Sequence, residues 1–595
     1  MKQLLVVGGA SYDVIHLEDQ TVSCAGGGGT YTAMSARRCG VGVTLFAPRP
    51  EPCPEYLVPV AGRLVDWLGP AVTPDQLAHF EISHRGGETD YLQSSFGAEA
   101  DLSPMLLPDD LSQYDLIHLI PLGDAGRQLA FIEACRQRGA RRISAGTGLP
   151  IAAGQPRAVR AVLDQVDYFF MNDREARFVF SSLEAAVARP GKILYITLGA
   201  QGAYVYQGDT RTLIPAVSAA ERDPTGAGDA FCGATLAYLL QNHHPIMAAR
   251  RAASLAAEMI GQVGPAALLL DDRPPDIPHD PRVRLNDGQL RRVAGEVATL
   301  PEATPFPFVS PVLPPVGHPK ALDYFFAATA QQFSFWTIRD GRYHRPVLAQ
   351  IGGTQRKGSD YFWDAFRRQV EVDPGFCSPE RLANLSREEL MAVLRADDGH
   401  DPMTAVDLHL EKAHQYGRDM LALQLTPQSI LQEAQAADQP LQTLLAILDQ
   451  ITGYKEDPLR KKSSLLALIL DQRPERFLPL GKDEQVAPVI DYHVMRTCLR
   501  VGLIDVLDEA LAAKLVARQI VAPDEEWAVR FAAYRAMERL VDLSGVSLGA
   551  VDALFFNARR YCPEMSEPEC RACQLDPVCA HRKNLFQPVL RTTFY

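Results

Sequence analysis

The nine residues Asp223-Pro224-Thr225-Gly226-Ala227-Gly228-Asp229-Ala230-Phe231 constrain this chain more tightly than any other stretch. An apolar, strand-like run (Leu194 to Leu198) lies upstream, and Ala230 to Leu240 reads as an apolar helix. Gly226 and Gly228 allow the sharp bend that joins a turn to that helix. Free N–H groups at such a helix start form an anion hole suited to phosphate charge that builds up during transfer. Asp229 falls in the first turn, where a carboxylate can accept the proton of an attacking hydroxyl. Read alone, the same residues describe a glycine-rich turn capped by an acid.

The whole nonapeptide closely resembles the second signature of the ribokinase-like (PfkB) family of sugar and nucleoside kinases, D-T-x-G-A-G-D-x-F, with Pro224 where Thr is usual. Leu4 to Val7 ends in Gly8-Gly9, and Asp13 follows at the position where the family holds a substrate hydroxyl. Ala25-Gly26-Gly27-Gly28-Gly29-Thr30 resembles the substrate-side glycine motif, with Thr32 standing in for the expected Asn. Asn172-Asp173-Arg174-Glu175 is similar to the N-x-x-E motif that helps place magnesium on the phosphates. Thr197, Gly199 and Gly202 match the strand-end turn that lines the nucleotide. The resemblance covers roughly residues 1–272. It implies an α/β ribokinase-like three-layer sandwich that takes ATP and Mg²⁺. Asp229 would be its base, Thr225, Gly226, Ala227 and Gly228 its anion hole, and Asp13, Gly27 and Gly28 its substrate side.

At 595 residues the chain is too long for one core. A net charge of −13 argues against a dedicated nucleic-acid coat or an anionic membrane surface. No apolar run reaches membrane-spanning length, and Met1 to Gly9 does not read as a secretion signal, so a cytoplasmic protein is expected. Prolines recur from about Asp271 to Pro319, densest in Pro301–Pro307 and Pro311–Pro315, which reads as a semi-rigid connector over 273–319. Phe306, Phe308 and Val312 within it suggest packing on a surface. Before it, apolar runs alternate with helical patterns. After it, helical spacing dominates, as in Leu382–Leu394, Leu441–Ile451, Ser463–Leu470 and Ala528–Val541.

Cys562, Cys570, Cys573 and Cys579 are spaced C-x7-C-x2-C-x5-C, which suits a [4Fe–4S] cluster or a zinc ion. The spacing departs by one residue from the loop of endonuclease III-type DNA glycosylases, a likeness that favours iron–sulfur over zinc. In those proteins the cluster is a structural staple. Pro488 to Arg496 resembles their V-D-x-x-V-x-R segment, but Lys455-Glu456-Asp457-Pro458 stands where a glycine-rich, DNA-gripping hairpin belongs.

Residues 320–542 resemble more closely the queuosine salvage proteins, queuosine 5′-phosphate N-glycosylases that share the DNA-glycosylase fold. The match rests on Gln332-Phe333-Ser334-Phe335-Trp336, Gly358 to Trp363, Leu394 to Asp397 and His414 to Arg418. It implies a mostly α-helical domain over 320–595. Asp491 would stabilise the ribosyl cation, Lys461 would accompany it, and Lys461 or Lys462 would neutralise the 5′-phosphate. Phe333, Phe335 and Trp336 would stack on the base, with Asp397 as a polar contact. Together the halves imply a bifunctional salvage enzyme acting on a nucleoside and then on its 5′-monophosphate, with a homodimer left open. The alternatives are a DNA repair glycosylase with a kinase-like appendage, and a kinase with an inert scaffold domain.

Overall fold

The computed structural model describes residues 1–85, 88–208, 210–300 and 306–595. The chain divides into two compact units, Met1–Pro278 and His279–Tyr595.

The first unit is built on a nine-stranded sheet. Gln3–Val7 lies third from one edge, flanked in parallel by Gly42–Phe46 and Leu116–Leu119, with Asp66–Leu68 at that edge. Ile143–Gly146, Tyr168–Asn172 and Ile193–Thr197 continue the parallel order, and Ala203–Gln207 and Thr210–Ile214 close that edge antiparallel. Central strands such as Leu4–Val7 and Ile193–Ile196 are buried along their whole length, which is why they are unbroken apolar runs. A separate four-stranded sheet pairs Thr21–Gly26, Ser11–His16, Ala78–Arg85 and Glu88–Ser95 in that order. The α/β architecture expected for this half is present.

The second unit is helical, with three small two-stranded ribbons among the described residues. The expected helix at 382–394 is two helices, Pro379–Ala383 and Arg387–Leu394. Ser386 starts the second by accepting the N–H of Glu389, whose carboxylate in turn accepts the N–H of Ser386. The other expected stretches lie largely in Pro440–Leu448, Lys461–Gln472 and Pro523–Ser544.

Much of the stretch read as a connector has structure of its own. Val283–Leu285 pairs with Ile504–Val506, and the helix Asp287–Val297 buries Leu290, Val293 and Val297 in the core of the second unit. Prolines are absent from 282 to 300, so the backbone there is free to form both elements. Residues 301–305, in the densest proline run, lie outside the described residues. Farther on, Val312 and Leu313 are buried, and Arg473 donates to the carbonyls of Phe308 (2.6 Å) and Pro314 (3.2 Å), so this part does pack on a surface. Among the described residues no helix is long and apolar enough to cross a membrane.

Candidate active sites

In the first unit the Asp223–Phe231 segment forms the expected turn and helix. Gly226 takes φ 75°, in the left-handed region, at the start of Ala227–Leu240. A Cβ there would also strike the Tyr31 ring at 2.4 Å, so glycine is required twice over. Asp229 sits in the first turn, half-buried, and burial pushes its carboxyl up to about 6.

The glycine cluster at residues 26–29 meets this helix start. A Cβ on Gly28 would stand 3.2 Å from Asp229 Oδ1. Thr32 and Ser35, on the helix Gly28–Arg38, donate to the carbonyls of Asp229 (3.4 Å) and Ala230 (2.5 Å). Thr32, found where an Asn is usual, therefore ties two helices together. Asp13 is buried; it accepts from Ser11 Oγ at 2.6 Å and from the Gly27 N–H. Burial pushes its carboxyl up to about 6 against the effect of those bonds. A Cβ on Gly26 would lie 1.8 Å from Asp13 Oδ2. Asp13, Gly27, Gly28 and Asp229 thus form one continuous surface.

Asn172 and Glu175 lock each other in place. Glu175 accepts from the backbone and side-chain nitrogens of Asn172, both at 2.9 Å, while Asn172 Oδ1 accepts the Glu175 N–H at 2.9 Å. Burial, with the charge of Asp229 adding to it, pushes Glu175 up to about 7. Thr197 ends its strand, and Gly199 (φ 58°) and Gly202 (φ 101°) make the turn after it. The turn is closed by Leu198 N–H donating to the Gly202 carbonyl at 2.7 Å.

Two residues here escaped sequence reasoning. Asp223, fully buried, accepts from the N–H groups of Thr225 (2.9 Å) and Gly264 (2.7 Å), fixing the turn before Gly226. His84, on Ala78–Arg85 of the second sheet, places Nε2 2.7 Å from Thr225 Oγ1 and 3.2 Å from Asp223 Oδ1. Asp223 was visible as the first letter of the nonapeptide. His84 is 141 residues from Thr225 and carries no local signal.

The second unit holds a cavity of about 470 Å³, lined by Lys461, Asp491, Asp552, Phe335, Trp363 and Arg559 among others. Asp491 caps the helix Tyr492–Val501, its Oδ1 accepting from the N–H groups of His493 (2.8 Å) and Val494 (2.9 Å). Lys461 opens the helix Lys461–Gln472, held by its own N–H donating to Asp457 Oδ2 at 2.8 Å. Burial pushes the Lys461 ammonium down, and Asp491 and Asp457 work against that.

Other expected pocket residues are used elsewhere. Phe333 is buried, stacked on His409 at 4.2 Å. Lys462 is buried over the Phe333 ring and donates to the Ala330 carbonyl at 2.7 Å, and burial lowers its ammonium to about 7. Trp336 stacks on Tyr343 in a separate small cluster with Phe586 and Val589. Asp397 is exposed, accepting from the N–H groups of Gly352 (2.9 Å) and Gly353 (2.7 Å) in a ribbon turn. Each of these side chains satisfies a local packing or hydrogen-bonding need away from the cavity lining. The segment in place of a DNA-gripping hairpin is buried too: Lys455 pairs with Asp419 at 2.8 Å and Asp457 with Arg530. It offers no phosphate-gripping loop.

All four cysteines of the C-terminal loop are free thiols of intermediate burial. Arg500 donates to Cys562 Sγ at 3.1 Å, and the His581 N–H to Cys579 Sγ at 3.3 Å. Burial raises the Cys573 and Cys579 thiols, and the neighbouring cysteines add to it. A cluster would offset that cost by binding thiolates, and donors to sulfur are the usual support for such ligands. Among the described residues, Cys570, Asp576 and His581 offer ligand atoms within 4.8 Å of one another.

Residues 98–272 match the pfkB family of carbohydrate kinases. The chain is 25% identical over 247 residues to a cytidine kinase of Thermococcus kodakarensis, covering 40% of this chain and 88% of that protein. It is 26% identical over 281 residues to the ribokinase of Bacillus subtilis, covering 44% and 92%. A solved structure of a Burkholderia thailandensis nucleoside kinase in complex with inosine aligns at 22% identity, covering 44% of this chain and 92% of that one, with a TM-score of 0.39.

Proposed function

We propose, on the premise that the N-terminal unit is a PfkB-type, ribokinase-like kinase domain, that this chain is a bifunctional nucleoside-salvage enzyme. In the first step ATP phosphorylates the 5′-hydroxyl of a nucleoside, queuosine or a relative. In the second the N-glycosidic bond of the monophosphate is hydrolysed to free base and ribose 5-phosphate. The observation that carries the first step is the approach of Gly28 to Asp229, close enough that a Cβ would stand 3.2 Å from Asp229 Oδ1, which brings the Asp13 side of the site to the helix start at Gly226. Asp13 holds a ribose hydroxyl, Asp229 takes the proton of the attacking one, and the N–H groups of 226–228 meet the transferred charge. Asn172 and Glu175 would hold the hydrated Mg²⁺, which neutralises phosphate charge when bound. Thr197, Gly199 and Gly202 line the nucleotide. The likeness to a cytidine kinase supports a nucleoside acceptor.

The second step is supported by the cavity that brings Lys461 and Asp491 together. A carboxylate beside the anomeric carbon stabilises the developing ribosyl cation, and Lys461 pairs with substrate phosphate or with that carboxylate. The protein is taken to work in the cytoplasm.

Incubation with nucleoside is expected to release free base only when ATP is present. Asp491→Asn is expected to accumulate the 5′-monophosphate, with base release slowed by about 10²- to 10³-fold. Release without ATP, or none from a supplied monophosphate, would overturn the coupled scheme. The loop of Cys562, Cys570, Cys573 and Cys579 is assigned a structural [4Fe–4S] cluster, with zinc as the second choice. Anaerobically purified protein is expected to contain iron and acid-labile sulfide in equal amounts, both lost in Cys573→Ser. Zinc without sulfide would reverse that assignment.

A further inference from the structure

The cavity of the helical unit holds a second carboxyl that no sequence motif pointed to. Asp552, on the helix Leu548–Asn557, lines it together with Asp491 and Lys461. The two carboxyls stand in different surroundings. Asp491 accepts two N–H groups at a helix start. Asp552 accepts one, from Val489 at 3.2 Å, two residues before Asp491, which ties the two acids to the same short segment. Asp491, Lys461 and Cys498 interact electrostatically with Asp552, and Tyr492, His493 and Arg559 line the same cavity.

We propose that Asp552 is the general acid of this cavity, giving a proton to the departing base while Asp491 stands beside the sugar. The inference rests on the N-glycosylase reading of this unit. The C1′–N bond breaks with both electrons going to the base, whose nitrogen takes the Asp552 proton. Water then forms a bond from its oxygen to C1′ and gives its proton to the carboxylate pair, which returns Asp552 to its acid form. Nucleotide and water are thereby converted to base and ribose 5-phosphate, with nothing else consumed. Burial, reinforced by the charge of Asp491, pushes the Asp552 carboxyl up to about 7. A buried carboxyl that keeps its proton beside a second carboxyl in one cavity is the arrangement an acid–base pair requires.

The test uses the full-length protein with two supplied substrates. One is a nucleoside 5′-monophosphate. The other is a ribose 5-phosphate carrying p-nitrophenolate at C1′, a group that departs without a proton. Asp552→Asn keeps the acceptor for Val489 and is expected to slow base release by about 10²- to 10⁴-fold while changing p-nitrophenolate release only a few-fold. Equal losses on both substrates, or no loss on the nucleotide, would overturn the assignment. Should the variant not fold, the wild-type pH profiles decide it. Base release is expected to fall as pH rises past about 7, and p-nitrophenolate release is not; parallel profiles would overturn the proposal. Wild-type protein inactive on both substrates would instead refute the glycosylase reading, and this assignment with it.

Discussion

Asp229→Asn is expected to slow phosphoryl transfer by about 10²- to 10⁴-fold, the usual worth of a positioned general base. The carboxamide keeps the shape of the side chain but cannot take the proton of the attacking hydroxyl. The KM for the nucleoside is expected to change little, because in the proposed scheme Asp13, on the other side of Gly27 and Gly28, holds the acceptor. The pH dependence has a definite sign. Burial places the Asp229 carboxyl at about 6, and the base form is the active one, so the wild-type rate rises with pH through that region and then levels. The variant loses this rise. ADP release measured against pH at saturating ATP checks both points. A variant within a few-fold of wild type, with the acidic limb intact, would remove Asp229 from the proton path.

The second large effect concerns stability. Arg530→Met is expected to destabilise the helical unit by about 3–5 kcal/mol. The Arg530 guanidinium is wholly buried and donates twice to Asp457, at 2.8 and 2.8 Å, and once to the Ile490 carbonyl at 3.3 Å. Removing it leaves a buried carboxylate without its counter-ion, and that uncompensated charge is the dominant cost. Asp457 also accepts the N–H groups of Leu459 (3.1 Å) and Lys461 (2.8 Å), so its displacement would loosen the helix start that aims Lys461 into the cavity. Two unfolding transitions are expected for the full chain in urea, and only that of the helical unit should move. Replacing both partners, Asp457→Leu with Arg530→Met, is expected to recover part of the loss, because the Asp457 charge is then no longer stranded, although Glu526, 3.9 Å from Arg530, still loses its cation. If the double variant is no more stable than the single one, packing rather than charge is the cause.

The same pair sets a pH dependence. Burial pushes the Asp457 carboxyl up, but Arg530 and the N–H donors outweigh it and hold it below the usual carboxylate range. A group depressed in the folded state stabilises fully above its unfolded value. That stabilisation is lost as pH falls through the folded value, so the helical unit should weaken in acid.

How much was legible follows from where each constraint lies along the chain. The turn at Gly226 is a local demand of the backbone, a left-handed residue before a helix, and it can be read from consecutive letters. The same holds for the capping pair Asn172 and Glu175, three residues apart. Asp491 at its helix start and Lys461 at another were also legible, by resemblance to a known arrangement. Phe333, Trp336 and Lys462 show the limit: an aromatic or basic cluster in sequence carries no information about which neighbour it faces. In the fold, one ring packs on His409, another on Tyr343, and the lysine on a carbonyl.

The nonapeptide by itself determined a turn and a helix start with a carboxylate in its first turn, since glycine dihedrals and helix starts are short-range properties. It could not say what meets that carboxylate. Gly28 comes from about 200 residues upstream, His84 crosses from the second sheet, and Asp223 is fixed by Gly264. The cavity was decided the same way, with Asp552 beside Asp491 and Arg530 neutralising Asp457 from 73 residues away. Such pairings are selected by burial, because a charged or polar group taken out of water needs a partner and only the packed chain supplies it.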